Sequence, residues 1–142
     1  MSNKLKLPFQ RDMTELFANT SVIIVNKDVL GEEKDIITPD GFKLRGRRAM
    51  PIEISRIESE NEIKEISSFF VIKLSDMIES IFSSGEYSFD FFDDRQHRIA
   101  QIRYIGFDYI RWNEKWRGDA ELEMPELFMK WLKSQDENLK SN

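Results

Sequence analysis

The sequence predicts an α+β fold in which one long helix packs across an antiparallel sheet. Between Ile63 and Ile81, apolar residues recur every three or four positions, which is the spacing of one helix face. After Gly85 the period drops to two, which places Tyr87 and Phe89 on one side of a strand. A helix followed directly by strands favours a helix laid on a sheet of about four to six strands.

The first half of the chain predicts a short helix and several strand segments. A helix over 13–19 precedes the β-branched run Ser21 to Val25, which is typical of a buried strand. Pro39-Asp40-Gly41 predicts a turn, because proline presets φ and glycine accepts a positive φ. Residues 35–38 and 42–45 would pair across that turn as a hairpin. A further strand is expected around Ile52.

The second half predicts the long helix, a three-stranded meander and a C-terminal helix. The long helix would cover about residues 60–84, with Ser59 and Glu62 as a capping box and Gly85 as a left-handed cap. Strands are expected over 87–92, 98–105 and 107–112, with a bulge or tight turn at Gly106. Pro125 suits the first turn of a last helix over about residues 125–134.

Length and composition indicate one folded domain. A chain of 142 residues can bury about two thirds of its unfolded surface. The hydrophobic share of 40% and the 11 phenylalanines favour a packed core over disorder. We predict a single α+β domain over residues 1–142, with flexible ends at 1–8 and 135–142.

The absence of cysteine and of a long apolar run removes several classes of protein. Without cysteine the chain has no disulfide, thiolate metal site or cysteine nucleophile. No segment approaches the ~20 apolar residues that a transmembrane helix needs. We therefore expect a soluble cytoplasmic protein that has no membrane partner and no cofactor.

The charge balance argues against general nucleic-acid binding. The chain has 26 acidic and 21 basic residues and a net charge of −5, whereas nucleic-acid-binding domains usually carry a basic footprint. Two basic segments, residues 42–56 and 95–117, keep nucleic-acid binding as the alternative function, through phosphate contacts and base stacking. Both lie between acidic blocks, so nucleic acid is not the expected partner.

Signals for catalysis are few. The single histidine, His97, follows Asp93 and Asp94, and such a group could bind a metal or act as a base. Pro39-Asp40 followed by Glu62-Ile63-Lys64 matches the loose PD-(D/E)xK nuclease motif. However, Glu62 and Lys64 fall at the start of a predicted helix. A metal-dependent hydrolase or nuclease is therefore only a third hypothesis. We predict that the chain is not an enzyme, and we assign no catalytic or metal-binding residue.

The preferred hypothesis is a small protein-binding module, such as a bacterial immunity protein or antitoxin that inhibits a toxin enzyme. Charge blocks can steer a basic partner, and tryptophan is enriched at interface hot spots. The alternative is a purely structural role, in which the charges pair across strands and most aromatic rings lie in the core. Association with a second copy of the chain also stays open. The predicted contact residues are six acids and two indoles: Asp76, Glu79, Glu86, Asp90, Asp93, Asp94, Trp112 and Trp116.

Overall fold

The computed structural model describes residues 2–47, 49–73, 85–106 and 108–141. These residues form three helices, α1 (Ser2–Ala18), α2 (Glu60–Ser67) and α3 (Pro125–Ser141). Their strands are β1 (Val22–Leu30), β2 (Lys34–Ile37), β3 (Lys43–Gly46), β4 (Ala49–Ile57), β5 (Tyr87–Phe92), β6 (Arg98–Gly106), β7 (Tyr109–Arg111) and β8 (Asp119–Glu121).

The strands are divided between a large sheet and a small hairpin. Six of them pair in the order β4-β1-β5-β6-β7-β8, and every pairing is antiparallel. Strands β2 and β3 pair only with each other. The predicted α+β class is therefore confirmed. The main sheet has six strands, the upper limit of the predicted four to six.

The core lies between the helices and one face of the main sheet. Phe70 is fully buried and contacts Phe17 of α1, Phe89 and Phe91 of β5, and Phe128 of α3, with ring centroids 4.8–6.0 Å apart. Most of these rings meet edge to face, the arrangement that their quadrupoles favour. Ring packing at this one position therefore ties two helices to the sheet.

The predicted extent of the long helix is wrong within the described residues. Helix α2 ends at Ser67, and Ile72 forms an isolated antiparallel bridge with Leu122. The Ser67 and Ser68 hydroxyls donate to backbone carbonyl oxygens three residues earlier, at 2.6 and 2.5 Å. Such local bonds compete with helix propagation, and the following run of aromatic and β-branched residues favours an extended chain. Residues 74–84 of the predicted helix lie outside the described residues.

Both terminal helices are longer than the sequence predicted. Helix α1 starts at Ser2 and not near residue 13, and α3 continues to Ser141 and does not end near residue 134. The flexibility of residues 1–8 and 135–142 stays a prediction. Contacts with the sheet hold α3 beyond residue 134. Lys27 Nζ and Tyr87 Oη each donate to Asp136 Oδ2 at 2.8 Å, and Ser55 Oγ donates to Gln135. A polar sequence can therefore be ordered by side-chain bonds to neighbouring strands.

Glycines mark two features of the second half. Gly85 has a φ of +71°, and a Cβ there would overlap the carbonyl oxygen of Tyr104. Glycine is thus required both by its backbone angle and by the close approach of β6. The predicted bulge at Gly106 is confirmed by a register shift between Tyr104 and Gly106. The short strand β8, with two acids in three residues, was not predicted.

Candidate protein-binding surface

The two tryptophans predicted as exposed anchors are buried, each with 6% of its surface accessible. The chain turns back at this point, because Trp116 N donates to the carbonyl oxygen of Trp112 at 2.7 Å. The indole rings lie 5.7 Å apart, and Trp116 also contacts Phe9 of α1. Trp116 Nε1 donates to Asp12 at 3.0 Å. The predicted exposure of both indoles is therefore wrong, and they attach α1 to the segment after β7.

Asp90 lies in β5 with its carboxylate occupied by neighbours on the sheet. It accepts hydrogen bonds from Asn26 Nδ2 at 2.8 Å and from Gln101 Nε2 at 3.1 Å. Arg98 lies 3.5 Å away across the β5–β6 hairpin. Because these side chains compensate its charge, the Asp90 carboxylate stabilises the sheet and is poorly suited to attract another protein.

Asp93 supports the turn between β5 and β6. Its Oδ1 accepts the backbone N–H groups of Arg95 and His97, each at 2.9 Å. The bond from His97 is the main cause that holds the pKa of Asp93 below its ordinary value, and the bond from Arg95 adds to it. This carboxylate is therefore part of the turn structure.

The remaining predicted acids do not form one described surface. Glu86 and Asp94 are exposed, but they lie at opposite ends of β5, a separation of about 20 Å at the rise of a strand. Asp76 and Glu79 lie outside the described residues. A role for these four acids in partner binding stays a prediction.

One groove does bring three of the predicted residues together. It has a volume of about 540 Å³ and lies between the end of α1 and the β5–β6 turn. Part of its charge is neutralised, since Lys115 Nζ lies 3.5 Å from Asp12. Its polar and aromatic lining includes Asp12, Glu15, Asp93, Asp94, Trp112 and Lys115.

Two arginines of the basic segment 95–117 form ion pairs with aspartates. Arg103 Nη2 lies 2.6 Å from Asp28, and Arg111 binds Asp119 through two nitrogens at 2.8 and 3.1 Å. Asp119 is fully buried. The expectation that charges pair across strands is confirmed for these two arginines, whereas Arg95 and Arg117 of the same segment are exposed. Nucleic-acid binding through this segment stays a prediction.

The residues of the metal-hydrolase hypothesis lie in two separate turns. Asp40 lies in the turn between β2 and β3, which is attached beyond the C-terminal end of β1. Asp93, Asp94 and His97 lie in the β5–β6 turn, beside the opposite end of β1, where Val22 pairs with Phe92. Within the described residues, no group of three histidine, aspartate or glutamate side chains could hold a metal ion.

Among the described residues, the most exposed apolar surface lies on a projecting element that we call the arm, residues 30–49. At its base, Leu30 pairs with Ala49, and β2 and β3 extend the chain as a hairpin. Thr38 N donates to Phe42 O at 2.8 Å, and Gly41 adopts a φ of +88°. The predicted hairpin and its turn are thus confirmed, because both depend on local turn chemistry.

The arm concentrates large apolar side chains in solvent. Among the described residues nine such side chains are exposed, and five of them belong to the arm. Phe42 and Ile37 near its tip are 68% and 70% exposed. Contiguous exposed apolar surface commonly marks an interaction site. The five residues are Leu30, Ile36, Ile37, Phe42 and Leu44, and the exposed Met50 and Ile52 follow on the edge strand β4.

Both faces of the β2–β3 hairpin mix apolar and charged side chains. One face carries Ile36, Leu44 and Lys34, and the second face carries Asp35, Arg45, Ile37 and Lys43. The cations on the second face extend into solvent, since the Lys43 and Arg45 side chains are 70% and 74% exposed. Their distances to Asp35 are 3.8 and 3.7 Å, which are long for ion pairs.

The sequence contained only part of the signal for the arm. The Pro39-Asp40-Gly41 turn predicts the hairpin. Strands β2 and β3 have four residues each, but length alone does not mark a projecting hairpin, because β7 and β8 of the main sheet have three residues each.

Comparison with known protein families, curated proteins and solved structures finds no match for this chain. Among the described residues, no helix has both the length and the apolar character needed to cross a bilayer. The function must therefore be argued from the geometry of the chain itself, in which the arm is the most exposed apolar feature.

Proposed function

We propose that this chain is a protein-binding module and that the arm is the element that contacts the partner. One observation carries the proposal: five of the nine exposed large apolar side chains in the described chain lie on the arm. Four of these five belong to β2, β3 and their turn, and the two strands pack principally on each other and leave these side chains in water. Covering them with a partner would be favourable by about 25 cal/mol for each Å² of apolar surface removed from water.

The arm favours a partner surface that differs from the basic one expected from sequence. Lys43, Arg45 and Arg47 are exposed beside the apolar side chains. These cations complement carboxylates at the rim of an apolar contact. We therefore expect the arm to contact an apolar surface with acidic residues around it.

The narrower form of the proposal is an inhibitor, such as an immunity protein or antitoxin that blocks a partner enzyme. A two-stranded hairpin is narrow, because its strands lie only about 5 Å apart. Its exposed tip, with Ile37 and Phe42, has a shape suited to entering an active-site cleft. A contact of this kind would exclude the substrate of that enzyme.

Affinity capture with matched variants tests the proposal. The arm variant carries Phe42→Ser and Leu44→Thr, which remove apolar surface but keep a strand-compatible residue at position 44. The control carries Met124→Ser and Leu127→Ser, which are exposed apolar residues outside the arm. We expect mass spectrometry to identify a protein retained by the wild type and the control but lost by the arm variant. Equal retention by all three chains would contradict the proposal.

The narrower form has its own test once that protein is identified. Its catalytic activity is measured with increasing amounts of the wild type, the control and the arm variant. We expect stoichiometric inhibition by the first two and no inhibition by the arm variant. A partner that binds the arm and retains full activity would reject the inhibitor while leaving the binding module in place.

A further inference from the structure

We propose that the outer edge of β3 accepts an extended segment of the partner as a third strand, and that this segment alternates acidic and apolar residues. The inference rests on the proposed function, since it specifies what the arm binds. It concerns the backbone edge and the charge of the arm, whereas the proposed function concerns its exposed apolar side chains.

The small size of the β2–β3 sheet is the first argument. Two strands of four residues form a sheet that is marginally stable in water without a third strand or a packed face. All of these residues except Gly46 are exposed. Adding a strand supplies backbone hydrogen bonds and covers apolar side chains in one step.

The edge of β3 is the better of the two available edges. In a two-stranded sheet each strand pairs on one side only, and the opposite side presents unpaired backbone groups. Strand β2 carries Lys34 and Asp35, whose charges cancel, and it follows Glu32 and Glu33. Strand β3 carries only cations and is followed by Arg47. An incoming acidic segment is therefore attracted to β3 and repelled by the segment before β2.

The alternation of side chains on β3 fixes the pattern of the incoming strand. Lys43 and Arg45 lie on one face of the hairpin and Leu44 on the other. A paired strand places acids beside Lys43 and Arg45, and an apolar residue beside Leu44. Asp35 occupies only the β2 side of the two cations, at 3.8 and 3.7 Å. Their opposite side faces the proposed strand, so the recognised segment reads acidic, apolar, acidic.

The charge of the whole chain favours a protein partner over a lipid surface. Apolar residues flanked by cations also occur on proteins that bind anionic membranes. However, this chain carries a net charge of −5, which opposes approach to an anionic bilayer. A short acidic segment interacts mainly with the local cations of β3, because charges beyond the Debye length are screened.

Selection from a random twelve-residue peptide library, displayed on phage, tests the inference with the full chain as bait. We expect selected peptides to contain the acidic, apolar, acidic pattern. The test variant carries Lys43→Glu and Arg45→Glu, and the control carries Lys130→Glu and Lys133→Glu on the exposed side of α3. Peptide affinity should fall at least about tenfold in the test variant and remain unchanged in the control.

Backbone pairing is tested separately with one synthetic peptide from the selection. N-methylation of alternate amides removes the strand hydrogen bonds on one edge, and we expect one of the two methylated versions to lose binding. Circular dichroism and thermal melting of each protein variant check that its fold is unchanged.

Each contrary result has a distinct meaning. Peptides that require Phe42 and Leu44 but lack acidic alternation, or that tolerate both methylation patterns, would overturn strand addition and leave the proposed function intact. Peptides that bind the Phe42→Ser, Leu44→Thr chain as well as the wild type would contradict both. The strand inference would also be overturned if no peptide were selected, and arm-dependent binding to phosphatidylserine vesicles would then assign the arm to a lipid surface.

Discussion

Asp119 shows how the sheet uses its charged residues. Its carboxylate is fully buried and binds Arg111 through two nitrogen–oxygen contacts at 2.8 and 3.1 Å. Planar bidentate pairing of this kind is stronger than a single charged contact. At this position, therefore, a charged residue of the sequence forms an internal ion pair.

We expect Asp119→Ala to lower the free energy of unfolding by about 3 kcal/mol, because Arg111 loses the carboxylate that compensates its burial. Equilibrium urea unfolding measures the change. Asp94→Ala is the matched control at an exposed position and should change the free energy by less than about 0.5 kcal/mol. Equal effects of the two substitutions would show that the Asp119 pair adds nothing to stability.

Lys27 and Tyr87, which share Asp136, predict a loss of stability at high pH. The hydrogen bond to Asp136 raises the pKa of Lys27 above 10.5, and burial together with the same carboxylate raises the pKa of Tyr87 above 10.0. Because both groups hold their protons more tightly in the folded state, their stabilisation is complete below these values. It is lost as the pH rises through the folded pKa values.

Urea unfolding between about pH 9 and pH 11 checks this dependence. We expect the free energy of unfolding to fall over that range, and to fall less steeply in Tyr87→Phe, which removes one of the two titrating groups. A wild-type stability that is constant or rising across this range would contradict the assigned bonds.

At the scale of elements, the hairpin turn was predictable from sequence and the end of α2 was not. The hairpin turn followed from Pro39 and Gly41, since both act within a few residues. The end of α2 depends on serine bonds to carbonyl oxygens that compete with a sequence pattern typical of helix.

The indole positions show the same limit at the candidate site. Trp116 lies in a charged loop, and its contacts with Phe9 and Asp12, more than a hundred residues earlier, help to bury it. The sequence predicted the arm as a hairpin but did not predict that its apolar side chains are exposed. The reason is that strands in a packed sheet have the same two-residue period. What distinguishes the arm is that β2 and β3 contact principally each other, and that is a property of the assembled chain.

The arm should be removable without unfolding the main sheet. Leu30 and Ala49 are cross-strand partners, so replacing residues 31–48 by Asn-Gly would close β1 and β4 with a two-residue turn. We expect the melting temperature to change by less than about 3 °C, because β2 and β3 pack principally on each other. Differential scanning calorimetry measures it, and loss of a cooperative transition would show that the arm belongs to the core.

The whole molecule combines a packed body with an exposed arm. The body holds the aromatic core, and its described arginines on the sheet are paired with acids. Within the described residues, the arm carries five of the nine exposed large apolar side chains, and its sequence has five bases and four acids in a chain of net charge −5. Under the proposed function the body supplies stability and the arm supplies recognition, so changes to the arm should alter binding much more than folding.

The hydrogen-exchange footprint of the captured partner on this chain is the most direct test of recognition by the arm. We expect the backbone amides of Lys34–Ile37 and Lys43–Gly46 to exchange rapidly in the free chain, since a two-stranded hairpin opens readily. In the complex their exchange should slow at least about tenfold, while the amides of β5 and β6 change little. Protection confined to residues 86–94 and 112–116, with no change in the arm, would contradict the account.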